Sequence, residues 1–194
     1  MAITNGYATL AELKSRLDIH MADHDVNLEQ MIESASRQID GWTARTFYPE
    51  TATRVVTADS TTELVLDRDL ITLTSIATDN DGDRVYETAW SPTDWELAGP
   101  IPHQEVFITP YGRQSFPTGR NRVQVTGVWG FGNDVPAPIR EATLLLASRL
   151  YKRKDAPFGV AGNAEHGELQ TISAQDPDVK QLIQPYRRFG LVGV

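Results

Sequence analysis

The chain has 194 residues, 40% hydrophobic and 23% charged, with no cysteine and a formal net charge of −8. That length and balance describe one globular domain, or one domain with an insertion, able to bury a sizeable core without disulfides or a structural metal. The lack of cysteine excludes disulfide frameworks and thiolate-ligated zinc, no apolar run is long enough for a membrane span, and the acidity argues against gripping DNA phosphates, which takes clustered Lys and Arg. The opening Met1–Gly6 lacks a basic start and an apolar stretch, so no secretory signal is expected. Charge is uneven: residues 1–135 carry 10 basic and 20 acidic side chains, and residues 136–194 carry 8 basic and 6 acidic. An acidic body with a mildly basic end suits end-on docking to another protein as well as it suits ordinary surface scatter.

The first helix opens at Thr9-Leu10-Ala11-Glu12, a capping box in which Thr9 accepts the N–H of Glu12 and Glu12 reaches back. Leu10, Leu13 and Leu17 share a face, and the helix is expected to end near Asp18-Ile19. A second helix follows with Asp25 as its N-cap, Asp23 being the alternative. Leu28, Met31, Ile32, Ala35, Ile39 and Trp42 recur at three and four and predict its buried face. Gly41 weakens this helix, and Pro49 stops the helical stretch.

From about Arg54 to Gly132 the pattern turns to short runs rich in Val, Ile, Thr and aromatics, separated by Gly, Pro, Asp and Asn. The predicted strands are 54–57, 63–66, 70–77, 84–86, 106–109 and 122–129. Arg122 to Trp129 alternates cleanly, so one of its faces should be buried. Strands at this spacing predict an antiparallel sheet or small sandwich, not βαβ units.

Helix returns after Asp134-Val135-Pro136. Ile139, Ala142, Leu146 and Leu150 make a stripe that Thr143, Leu144, Leu145, Ala147 and Tyr151 broaden almost all the way round, so the helix is buried within the domain or between subunits. Lys152-Arg153-Lys154 complements its C-terminal dipole. Residues 156–174 have no periodicity and predict a long flexible loop. A short last helix has Asp176 as cap, Pro177 at its first position, and Val179, Leu182, Ile183 and Tyr186 as its apolar face. The fold class expected is α+β: a small helical bundle with an inserted antiparallel β region. Residues 1–49 and 133–155 form the helical core, 50–132 the insertion, and 156–194 the loop, short helix and docking tail.

Several pieces, in this order, resemble a known family. They are Tyr7-Ala8-Thr9-Leu10-Ala11-Glu12-Leu13-Lys14, the helix through Glu33 to Asp40, Val125 to Phe131 followed by Val135-Pro136, Ala142 to Arg153, and the closing Asp176-Pro177-Asp178-Val179 with Pro185-Tyr186-Arg187-Arg188. The chain resembles the head–tail connector (adaptor) proteins of long-tailed double-stranded DNA bacteriophages, well at both ends and less through 50–120. The resemblance implies a structural protein rather than an enzyme. It implies a dodecameric ring below the portal that extends the DNA channel and meets a downstream connector, stopper or tail-completion protein. It also implies a virion protein assembled in the host cytoplasm, with DNA only passing through. A closed ring needs two unlike adhesive surfaces on each subunit, and the broad apolar helix 139–151 and the aromatics of the β region are the candidates. The candidate partner-binding residues are Tyr186, Arg187, Arg188, Phe189, Leu191 and Val192, where a capped helix runs into a basic, apolar end.

No catalytic, cofactor or metal residues are expected. Asp79-Asn80-Asp81-Gly82-Asp83 opens like a calcium loop, but the twelfth position is Trp90 rather than Glu and the flanks read as strands, so a β-turn is the better reading. His20 and His24 have the i, i+4 spacing of zinc peptidases, but Met21 stands where those carry Glu. His103 and His166 sit in loops. No nucleophile elbow or phosphate loop is present, and Lys152–Lys154 with Arg187-Arg188 are too small a basic set for DNA. The alternative to the connector is a carbohydrate- or receptor-binding β module of a phage particle built on Trp90 and Trp95; a metal-dependent hydrolase ranks far below.

Overall fold

The computed structural model describes residues 3–153, 160–161, 170–171 and 177–188. Its elements are α1 (Leu10–Leu17), α2 (Asp25–Thr43), β1 (Glu50–Ala58), β2 (Glu63–Thr78), β3 (Thr88–Ala89), β4 (Trp95–Leu97), β5 (His103–Ile108), β6 (Gly119–Trp129), α3 (Ala137–Arg153), β7 (Val160–Ala161), β8 (Gln170–Thr171) and α4 (Pro177–Ile183), which runs into a 3-10 turn at Gln184–Tyr186. The class is α+β, with four helices and a six-stranded antiparallel sheet among the described residues. Two compact units result: Met1–Ala44 with Val135–Val194, and Arg45–Asp134.

In the helical unit the Thr9 capping box forms as its sequence dictates. The Thr9 hydroxyl accepts the Glu12 N–H, and the Glu12 carboxylate accepts the Thr9 N–H at 2.8 Å. Asp18 closes α1 in the left-handed region. Asp25 is not the N-cap of α2. His24 holds that position without a side-chain bond, and Asp25 is the first helical residue, where its carboxylate suits the dipole and pairs with Lys14 Nζ at 2.6 Å. The buried positions of α2 are Leu28, Ile32, Ala35, Ser36, Ile39 and Thr43. Met31 and Trp42, expected on that face, are only half-buried. Small hydroxyl residues take their place because each satisfies itself locally: Ser36 donates to Ile32 O and accepts the Tyr7 N–H, and Thr43 donates to Ile39 O.

The helical core joins Ala8, Leu13, Leu28, Ile32, Ala35, Leu144 and Ala147. The broad apolar girth of α3 follows from its neighbours, since it packs on α1, α2 and α4. Leu144 and Ala147 belong to this core, and Ile139 and Ala142 are also buried, so these four are not held out as an adhesive surface. α4 begins at Pro177 as expected and buries Val179 and Ile183, while Leu182 and Tyr186 are half-buried. The expected cap Asp176 and the basic Lys154 lie outside the described residues. So does most of the loop 156–174, whose described pairs Val160–Ala161 and Gln170–Thr171 form an antiparallel ladder, so that part is not irregular loop.

Glu33 anchors the chain before α1 by accepting the N–H groups of Asn5 and Thr4, at 3.1 and 2.8 Å, and these bonds hold its carboxyl below the usual glutamate range. The sign follows from linkage: the anchor is fully present above roughly pH 4.3, the ordinary glutamate value, and is lost as pH falls through the depressed folded value. The Thr4 and Asn5 amide resonances should therefore titrate together with a midpoint below that of a free glutamate.

The β unit has strand order β1-β6-β2-β5-β4, with β3 paired on β2. β1 starts at Glu50, earlier than its valines suggest, because β6 continues to pair with it as far as Glu50↔Trp129. The two expected strands 63–66 and 70–77 are one sixteen-residue strand, β2, that pairs β5 through its first half and β6 through its second. Gly127 lets β2 and β6 approach: a Cβ there would lie 2.2 Å from the Thr72 carbonyl oxygen. Residues 84–86 are not a strand. Arg84 has φ of 71°, Val85 is exposed, and the short ladder is instead Ala77↔Ala89 and Thr78↔Thr88. Inside the unit Val56, Leu64, Leu66, Leu73, Ile76, Val106, Val123 and Val125 surround Trp90, Phe116 and Trp129. Trp90, Phe116 and Trp129 are thus core, while Tyr86, Phe107 and Phe131 are half-buried.

Candidate functional site

Among the described residues three places can carry function, and the first is the C-terminal end of α4. Tyr186 closes the 3-10 turn half-buried, Arg187 is extended and exposed, and the Arg188 N–H donates to Thr43 O at 2.8 Å. The chain is therefore pinned to the end of α2 just before its final residues. Phe189, Leu191 and Val192 lie outside the described residues.

The second is the loop after β2. Carboxylate oxygens of Asp79, Asp81, Asp83 and Glu87 lie within 4.8 Å of one another. Asp79 is buried, which disfavours its charge. The N–H groups of Gly82 and Arg84, donating at 2.6 and 2.9 Å, together with Asp81 and the Arg122 guanidinium, outweigh that and hold its carboxyl below the usual range. Asp79 thus works as the keystone of the turn, and this captured geometry replaces the strand expected at 84–86. Calcium at ~1 mM, enough to fill even weak sites, should leave Tm unchanged; a rise in Tm would make the turn a cation site.

The histidines do not converge. His20 is exposed beside Asp18 at 3.2 Å, His24 packs edge-on to Tyr151 with ring centres 5.9 Å apart, and His103 Nδ1 sits 3.0 Å from Ala98 O. His166 lies outside the described residues. Of the two tryptophans behind the carbohydrate reading, Trp90 is 5% exposed and stacked on Phe116, with centroids 4.6 Å apart. It has no free face for a sugar ring. Trp95 is half-buried against the same core.

The third place has no counterpart in the sequence reading. Between Arg45, the connection from β4 to β5 and Phe131 there is an open cleft of about 410 Å3 lined by Gly99, Ile101, Pro102 and Gln104. Arg45 Nη1 donates to both oxygens of Asp69, at 2.8 and 2.7 Å, and Gln104 Nε2 lies 3.4 Å from one of them. Asp69 is buried, and its backbone carbonyl accepts the Gly130 N–H. The Arg45 guanidinium also lies 5.4 Å from the centre of the Phe131 ring. Its Nε is buried without an acceptor. No sequence spacing links residues 45, 69 and 131; the only hint was a charged triplet, Asp67-Arg68-Asp69, inside an apolar run.

No family model and no curated protein matches the chain. Solved structures do share its fold. A chain in the neck of an empty gene transfer agent particle computed with C6 symmetry superposes with a TM-score of 0.67 at 22% identity, over 100% of this chain and 96% of that one. A chain in the neck of the native particle computed with C12 symmetry gives 0.65 at 21% with the same coverage. A chain of the native gene transfer agent virion gives 0.67 at 22%, again over 100% and 96%.

Proposed function

We propose that this chain is a structural subunit of a head–tail neck, a connector that assembles as a ring below the portal and continues the DNA channel toward the tail. The observation that carries the reading is the likeness in fold, over the whole of both units, to chains of phage-like particle necks. Those necks were computed with six- and twelve-fold symmetry, which supports a ring of identical copies, here taken as twelve. The role is assembly rather than catalysis, and the place is the virion at the head–tail interface. Residues 45–134 carry 7 arginines, no lysine and 13 acidic side chains. An acidic wall of this kind repels phosphates and lets DNA pass without holding it.

In this reading Tyr186, Arg187, Arg188, Phe189, Leu191 and Val192 contact the portal or a neighbouring subunit, and the downstream face meets a stopper or tail-completion protein. The pinning of Arg188 to Thr43 defines the clean test of that contact: a chain truncated after Arg188 keeps this pin and loses only 189–194. Light scattering of the purified protein, alone and with its portal, tests the function. A ring in either condition supports it. A monomer that ignores the portal overturns it, and a truncated chain that binds the portal normally overturns the assignment of the tail.

A further inference from the structure

Tyr111 is 94% exposed, which sets it apart from the core aromatics of the β unit. It is held out on a pinned turn. Gly112 N–H donates to Thr109 O at 2.9 Å, Thr109 N–H to Asp94 O at 3.0 Å, and the Thr109 hydroxyl to Thr93 O at 2.7 Å. A side chain at 112 is excluded, because a Cβ would lie 2.9 Å from Asp94 O and 3.1 Å from Thr109 O. An aromatic presented in this way costs little entropy to bury in a partner, which is why tyrosines dominate the energetics of interfaces.

The Arg45 cleft has the complementary chemistry. Its rim is apolar, with Ile101 52% exposed beside Pro102 and Phe131, and Arg45, whose buried Nε–H lacks an acceptor, also lines it. Buried donors are rarely left unpaired. A phenol matches both parts: the ring fills the apolar mouth and the oxygen meets the Arg45 side chain that lines it.

Tyr111 cannot reach the cleft of its own chain. The cleft lies at the β4–β5 connection and the start of β5, whose Gln104 and Glu105 help line it, whereas Tyr111 follows Ile108 beyond the other end of β5. The six residues of β5 span about 20 Å. A knob and a hole at opposite ends of one strand make a heterologous contact, the kind that closes rings. We propose, building on the ring reading above, that copies of this chain join head to tail by seating Tyr111 of one copy in the Arg45–Ile101–Phe131 cleft of the next.

The chain has no cysteine, so the contact can be trapped in the full-length protein. Tyr111→Cys and Ile101→Cys in one chain should give a ladder of covalent multimers under oxidation that collapses on reduction. An equimolar mixture of the two single variants should give mainly the mixed dimer. Tyr111→Ser should weaken self-association about 30-fold with Tm and circular dichroism unchanged, since the side chain packs on nothing within its own subunit. If the native chain forms rings but the double variant gives no ladder, or Tyr111→Ser assembles normally, the seat is wrong and the ring reading stands. If light scattering finds only monomer and no covalent pair accumulates, the contact and the ring reading fall together.

Discussion

Asp69→Ala should lower folding stability by about 3–5 kcal/mol. Asp69 is 2% exposed at the side chain and Arg45 13%. Both Asp69 oxygens are taken by Arg45 Nη1, and Gln104 stands beside them. Removing the carboxylate leaves a guanidinium that is always charged, desolvated and unpaired, and this cost exceeds the net worth of the pair itself. Asp69→Asn keeps one acceptor oxygen and should lose less. The double replacement Arg45→Met with Asp69→Leu removes both charges and should recover most of the loss. Urea unfolding of the three variants reads this as a shift in midpoint at constant slope. A loss under about 1 kcal/mol for Asp69→Ala would mean that the pair behaves as a solvated surface bridge. The cross-linking pair leaves Arg45 and Asp69 untouched, so stability and assembly are separately measurable.

The same pair shows where the sequence stops being legible. Local signals were readable wherever one stretch of chain satisfies itself: Thr9 with Glu12 at the start of α1, the alternation of β6, Pro177 at the first position of α4. They failed where a distant residue intervenes. Asp67-Arg68-Asp69 reads as a break between strands, yet β2 runs through it because Asp69 is neutralised by Arg45, 24 residues earlier. Residues 84–86 read as a strand until Asp79 captures the N–H groups of Gly82 and Arg84. The breadth of α3 marked it as buried but could not say against what; the answer is α1, α2 and α4. The candidate site divides in the same way. Tyr186, Arg187 and Arg188 stand out because they are clustered in sequence, whereas Arg45, Ile101 and Phe131 are gathered only by the sheet. Tyr111 is one aromatic in a Pro-Tyr-Gly turn, and only its exposure distinguishes it from Trp90.

Trp90→Ala should cost a further well-defined amount, about 3–5 kcal/mol, as large-to-small changes of fully packed aromatics do. The indole stacks on Phe116 at an interplanar angle of 23°, its Nε1–H donates to the buried Thr78 hydroxyl at 3.1 Å, and its backbone N–H donates to Ile76 O at 3.0 Å. Truncation opens a cavity beside Phe116 and strands the Thr78 hydroxyl in it. Trp95 is the useful contrast. It is half-buried at the edge of the same core, and its Nε1 is buried without an acceptor. Trp95→Phe removes that unpaired donor while keeping most of the apolar contact, so it should be neutral or mildly stabilising. The contrast also bears on function. Loss of any binding activity in Trp90→Ala would report an unfolded sheet, so only Trp95 can test the β unit as a sugar-binding surface. A Trp95→Ala chain that stays folded and still assembles leaves that surface no role in the neck. A Trp90→Ala chain that loses less than about 1 kcal/mol would mean the indole is not locked against Phe116, and would return both tryptophans to the surface as candidates.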